Sequence, residues 1–175
     1  MEEVRDKVHD WTLELINEGK VLQGLILMLS TWNFAYFRYH IKDFDLSGFE
    51  KTINECDFDY FKDKNFEEMD FNDEELKERI IKIYRQLSSF KGVKFVGATK
   101  VMYFLCPKVF IMWDGKIIKH YKVKTAPGGY VEFMKKMQEM YKKRMFEKLE
   151  KSVSIPRAID IYNLSKYSMP KFFDK

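Results

Sequence analysis

The sequence predicts an all-α fold, a bundle of about eight helices, and three observations carry that prediction. Apolar residues recur at helical spacing in most long segments, sustained period-two alternation is absent, and capping signals precede several apolar runs. No repeat and no long Pro-, Gly- or Ser-rich linker interrupts the 175 residues, so one domain spanning 1–175 is expected. Sixteen Phe and 46% hydrophobic residues are enough to fill its core.

In order along the chain, Val4, Val8, Trp11 and Leu15 share one helical face, and Gly19 can take the left-handed conformation that ends a helix. Residues 21–39 read as one helix, apolar over most of its circumference through Leu22, Leu25, Ile26, Leu29, Trp32 and Phe37, which belongs at the bundle centre. Within it, Asn33 is expected as a buried amide bonded to backbone, and His40 as a rim histidine. Residues 43–72 mix aromatics with acids, which fits short helices joined by acidic turns. Asn72 is expected to cap the next helix with Glu75 in the reciprocal position, and Leu76, Ile80, Ile83, Tyr84 and Leu87 supply its buried face. Gly97 is expected to open a short apolar helix over 98–105 that Pro107 ends, before a buried run at 109–113. After a turn at Ala126-Pro127-Gly128-Gly129, Tyr130, Phe133, Met134, Met137, Met140, Tyr141, Met145 and Leu149 mark a long helix with a methionine stripe in the core. Ser154-Ile155-Pro156 opens a last helix through about Tyr167.

Composition narrows the function classes. Cys56 and Cys106 are isolated, which suits buried thiols in a reducing compartment. His9, His40 and His120 have no neighbours at metal-ligand spacing, and Asp57-Phe58-Asp59 lacks the glycine and closing glutamate of a calcium loop, so no metal and no cofactor is expected. The acidic N-terminus is unlike a signal peptide and the apolar run at 21–29 is too short to span a bilayer, so a cytoplasmic protein without membrane contact is expected.

Charge divides the chain in two. Residues 1–87 hold 12 basic and 20 acidic side chains (net −8), whereas residues 88–175 hold 19 and 7 (net +12). Such asymmetry points to a polyanionic partner for the basic half, with nucleic acid foremost, or to a basic face neutralised by the acidic half. From Lys91 to Lys124 there are eight lysines and a single acid, Asp114. Asp114 reads either as the N-cap of a helix beginning at Gly115 or as a site carboxylate. Lys100 reads as a solvated or phosphate-facing lysine, or as a nucleophile if its pKa is depressed. Trp113 reads as core, or as an aromatic that stacks on an extruded base.

The stretch Lys94-Phe95-Val96-Gly97-Ala98-Thr99-Lys100-Val101, with Asp114 after one helix and an apolar run, resembles the helix-hairpin-helix base-excision DNA glycosylases, which are all-helical. In that superfamily a glycine-rich turn lets backbone N–H groups at a helix start approach a DNA phosphate, and an aspartate assists departure of the base. Some members add a lysine nucleophile at the start of the second hairpin helix. The resemblance implies that Asp114 and Lys100 are catalytic. It further implies that Gly97, Ala98, Thr99, Lys94, Lys116, Lys119 and Lys122 face phosphates of duplex DNA, with no cofactor. Laid on the family's L-P-G-V-G-x-K-T-A, this stretch puts Thr99 rather than Lys100 at the lysine position, about three residues too close to Asp114. The longer string from Gly97 to Asp114, with Trp32-Asn33-Phe34 upstream, is also similar to a family of small prokaryotic proteins, which implies no activity. The alternatives are a non-catalytic nucleic-acid-binding module of the same fold, or a protein-interaction domain docking its basic half on an acidic partner.

Overall fold

The structure is a computed structural model that describes residues 2–168. Nine α-helices and no strand occur among the described residues: α1 (Glu2–Asn17), α2 (Val21–Trp32), α3 (Phe34–His40), α4 (Leu46–Glu55), α5 (Glu74–Ser88), α6 (Lys94–Leu105), α7 (Gly115–Tyr121), α8 (Pro127–Lys142) and α9 (Ile155–Asn163). Single 3₁₀ turns at Ile41–Asp43, Asp59–Phe61 and Phe66–Glu68 carry the acidic stretch, and a π-helical turn at Leu164–Ser168 follows α9.

Gly19 ends α1 as expected, at φ 80°, with the Lys20 N–H donating to the Leu15 carbonyl (2.8 Å). The α1–α2 hairpin then closes tightly at Gly24, where an added Cβ would lie 3.0 Å from the Thr12 carbonyl oxygen. The expected single helix over 21–39 is instead two, because the chain breaks at Asn33 (φ −118°, ψ 22°). That buried amide donates to the carbonyls of Gly92 (2.9 Å) and Val93 (3.2 Å), so it ties the end of α2 to the α5–α6 turn. A hydrogen-bonded tertiary partner outweighs local helix propensity here.

Other boundaries move for similarly local reasons. The cap of α5 is Asp73, whose Oδ1 accepts from the Glu75 N–H (3.0 Å), while Asn72 bonds to Asp70. The turn before α6 centres on Gly92 (φ 90°) and Lys94 (φ 53°), so α6 starts three residues before Gly97. Pro127 lies inside the first turn of α8, where its missing N–H costs nothing. That helix stops at Lys142 rather than continuing to Leu149, since Arg144 and Lys148 are left-handed and Met145 is exposed.

The core gathers around residues 109–113, each at most 1% exposed. They form no helix or strand: the Val109 and Phe110 N–H groups bond back to the Cys106 carbonyl (3.0 and 3.2 Å), while farther along the Tyr130 hydroxyl donates to the Ile111 carbonyl (3.0 Å) and Thr99 accepts from the Trp113 N–H (3.4 Å). Met134 and Met137 are core residues, as the stripe predicted. Cys56 and Cys106 are buried free thiols, and burial pushes them up to about 11 and about 12.

Candidate functional site

Asp114 ends the buried segment in extended backbone and caps α7. Its Oδ1 accepts from the N–H groups of Lys116 (2.8 Å) and Ile117 (2.9 Å), and its Oδ2 accepts from the Ser168 hydroxyl. Around it lie Val96 and Lys100, one turn apart on α6, Trp32 at the end of α2, and Arg157 and Asp160 on α9. Together they line a cleft of about 400 Å³. The fold thereby brings Lys100 and Asp114, separated by a helix end and a buried run, to one cavity.

Lys100 is positioned by the end of α2, donating its Nζ to the Trp32 carbonyl. α2 carries no basic residue in its own last turn, so the ammonium of α6 completes that helix terminus. Burial pulls the Lys100 amine down to about 8, against the opposing pull of the Asp160 and Asp114 carboxylates. Asp160 (6% exposed) and Arg157 (4% exposed) form a buried pair, with Nη1 donating to Asp160 Oδ2 (2.6 Å) and Nη2 to Asp6 Oδ1 (3.1 Å). The guanidinium also lies 5.4 Å over the Trp32 ring. Among the described residues, Trp32 Nε1 is the one buried side-chain nitrogen or oxygen without a hydrogen-bond partner.

Several nominated residues lie elsewhere. Gly97, Ala98 and Thr99 are buried and cannot face phosphates: Gly97 sits within the first turn of α6 against α2, where a Cβ would meet Asn33 Nδ2 at 2.9 Å. Thr99 donates to the Val96 carbonyl (3.0 Å) and accepts from Trp113. Trp113 is a core residue, 1% exposed, its indole donating to the Phe95 carbonyl (3.0 Å) and its ring meeting Tyr84 and Tyr130 edge-on, and it forms part of the cleft's buried wall. Lys94, Lys116, Lys119 and Lys122 are exposed, Lys94 at the start of α6 and the others along α7 and its left-handed C-cap. α6 begins without a side-chain cap, so its first N–H groups have no side-chain acceptor.

Trp32, Arg157 and Asp160 were not nominated from sequence. A signal for the last two existed: they stand three apart on α9, among the buried Ala158, Ile159 and Asn163, and charges among core residues are placed there by a partner or a site. Nothing local marks Trp32, whose contacts come from α1, α6 and α9. Among the described residues, no group of three or more His, Cys, Asp or Glu could hold a metal ion, and no helix is long and apolar enough to cross a membrane.

No family model, curated protein or solved structure matches this chain.

Proposed function

We propose that the protein binds duplex DNA and releases a damaged base by cleaving its N-glycosidic bond, with the cleft receiving the extruded base. The observation that carries this reading is the convergence of Lys100 and Asp114 on one cleft beside the α5–α6 turn. A volume of about 400 Å³ lies in the range of small-ligand pockets, roughly 300–1,000 Å³.

The turn supports the glycosylase resemblance in a register three residues earlier than the sequence alone suggests. With Phe90-Lys91-Gly92-Val93-Lys94 laid on L-P-G-V-G, both glycine positions fall on the two left-handed residues. The lysine position then falls on Val96, and the three-residue shortfall to Asp114 disappears. Lys100 stands one helical turn beyond Val96 and lines the same cleft. In this reading the uncapped start of α6 receives a phosphate and Lys94 adds charge. The Asp114 carboxylate stabilises the positive charge growing on the sugar as the base departs with its bonding electrons. A water, or the neutral amine of Lys100, then bonds to the anomeric carbon, and the proton it sheds passes to the departed base.

Incubation with a panel of duplexes, each bearing one altered base, tests the reading by abasic-site formation. Release from one of them supports it, and binding without release from any removes the chemistry. The second reading, a non-catalytic nucleic-acid-binding module, is favoured by the structural duties already held by both residues, Asp114 as cap and Lys100 as donor to the Trp32 carbonyl.

A further inference from the structure

We propose that α3 and the adjoining start of α6 form a platform for single-stranded nucleic acid. Unpaired bases stack on Phe34 and Tyr39, and their phosphates are held by Arg38, Lys42, Lys91 and Lys94. None of these residues lines the cleft, so the platform takes a strand whether or not the cleft releases a base.

α3 puts Phe37 into the core at 2% exposure but leaves Phe34 52% and Tyr39 76% exposed. The Arg38 guanidinium lies 5.6 Å from each of these two ring centroids, so one cation serves both open rings. Tyr36, by contrast, is already packed: the His40 ring lies 4.5 Å from it and Lys94 Nζ 5.1 Å from its centroid. The Lys94 contact joins α3 to the start of α6, where a hollow of about 280 Å³ is lined in part by Phe34, Tyr36, Lys94 and Phe95. Asn33, just before α3, fixes the same junction through the Gly92 and Val93 carbonyls. Rings and cations are therefore presented together on a braced surface.

Charge decides which partner covers the rings. Although α3 belongs to the acidic half of the chain, residues 31–42 hold Arg38, His40 and Lys42 and no acid, and residues 86–113 hold no acid either. Among the described residues, Arg38, Lys42, Lys91 and Lys94 join no ion pair. An apolar protein partner would leave these cations without counter-charge, and a carboxylate-rich surface would supply charge but few planar faces. A single strand brings a phosphate with every base, and every base has a face that stacks on an aromatic ring or a guanidinium plane. In a duplex those faces are stacked on one another, so the complement is a strand with unpaired bases. DNA and RNA share this chemistry, because neither stacking nor phosphate contact uses the 2′-hydroxyl.

Fluorescence anisotropy at low salt tests the platform with three labelled strands of equal length and charge: oligothymidylate, oligouridylate, and a phosphodeoxyribose strand that carries no bases. At least one of the two base-bearing strands should bind about tenfold tighter than the base-free one, and the tighter of the two names the source. Replacing Phe34 and Tyr39 together by alanine should erase that preference while the base-free strand keeps its affinity within about twofold, since the cations remain. Both side chains are exposed, so the fold survives their truncation. Phe34→Tyr with Tyr39→Phe keeps both rings and should keep the preference. Equal binding of all three strands, a preference that survives the alanine pair, or one lost in the ring-keeping pair overturns the proposal. Binding of none of them at low salt also overturns it and leaves this face to a protein partner. Base release from duplexes without the preference would sink the platform and leave the glycosylase reading standing. The preference without base release does the reverse.

Discussion

At Asp114 one oxygen accepts from two backbone N–H groups at the start of α7 while the other accepts from Ser168. Asparagine retains the capping oxygen but not the full charge. Asp114→Asn should therefore melt within about 0.5 kcal/mol of the parent, whereas Asp114→Ala should lose about 1 kcal/mol in urea titration. If Asp114 is catalytic, both variants lose base release, and an Asn variant as fast as the parent leaves only the cap. Lys100 makes a prediction in pH. Its folded amine titrates near 8 against an ordinary 10.5, so between those values the unfolded chain binds the extra proton and stability rises with pH. Below pH 8 both states are protonated and the burial cost is present in full, up to the order of 3 kcal/mol at about 1.4 per unit. Burial raises the phenols of Tyr84, Tyr103, Tyr121 and Tyr130, which opposes this trend near pH 10 and above. The difference between parent and Lys100→Met, followed in urea from pH 7 to 10, isolates the lysine: the rise should flatten in the variant.

Among the elements, the α5–α6 turn is held from the side by Asn33 rather than by its own sequence. Gly97→Ala pushes a methyl to 2.9 Å from Asn33 Nδ2 and 3.1 Å from Val93 Cγ1, so the clamp must shift. A loss of about 1–3 kcal/mol is expected in urea denaturation. Lys94→Gly tests the turn differently. Glycine relieves the left-handed strain at φ 53°, worth about 1 kcal/mol, and brings back a similar cost in chain entropy. Stability should change by less than about 1 kcal/mol while affinity for duplex DNA at low salt falls. Unchanged affinity would take Lys94 out of the phosphate surface.

For the whole molecule the question is what the basic half faces. Lys135 reaches across to Asn72 (2.7 Å), but among the described residues Lys116, Lys119 and Lys122 join no ion pair, so no described acidic side chain neutralises them. If they bind phosphates, affinity falls steeply with salt through counterion release, and replacing Lys116 and Lys119 together by alanine flattens the log–log slope by about two units. Binding that ignores salt, or none at low salt, would point instead to an acidic protein partner.

Legibility followed the range of the forces. The all-helical class, the buried methionines, the Gly19 stop, the Asp114 cap and the Ser154–Pro156 start rest on periodicity and on bonds spanning a few residues, and the sequence determined them by itself. Where a distant partner intervened, local reading failed. Asn33 broke a continuous apolar helix because the carbonyls it satisfies lie on the far side of the acidic segment, and Gly97 proved a packing glycine because α2 presses against it. The cleft itself is wholly tertiary: α2, α6, α9 and the segment before α7 each bring one or two polar groups, and only their packing draws Lys100 below its ordinary range and leaves the Trp32 N–H without an acceptor. Burial and desolvation depend on what surrounds a side chain in space, and no spacing along the chain encodes that.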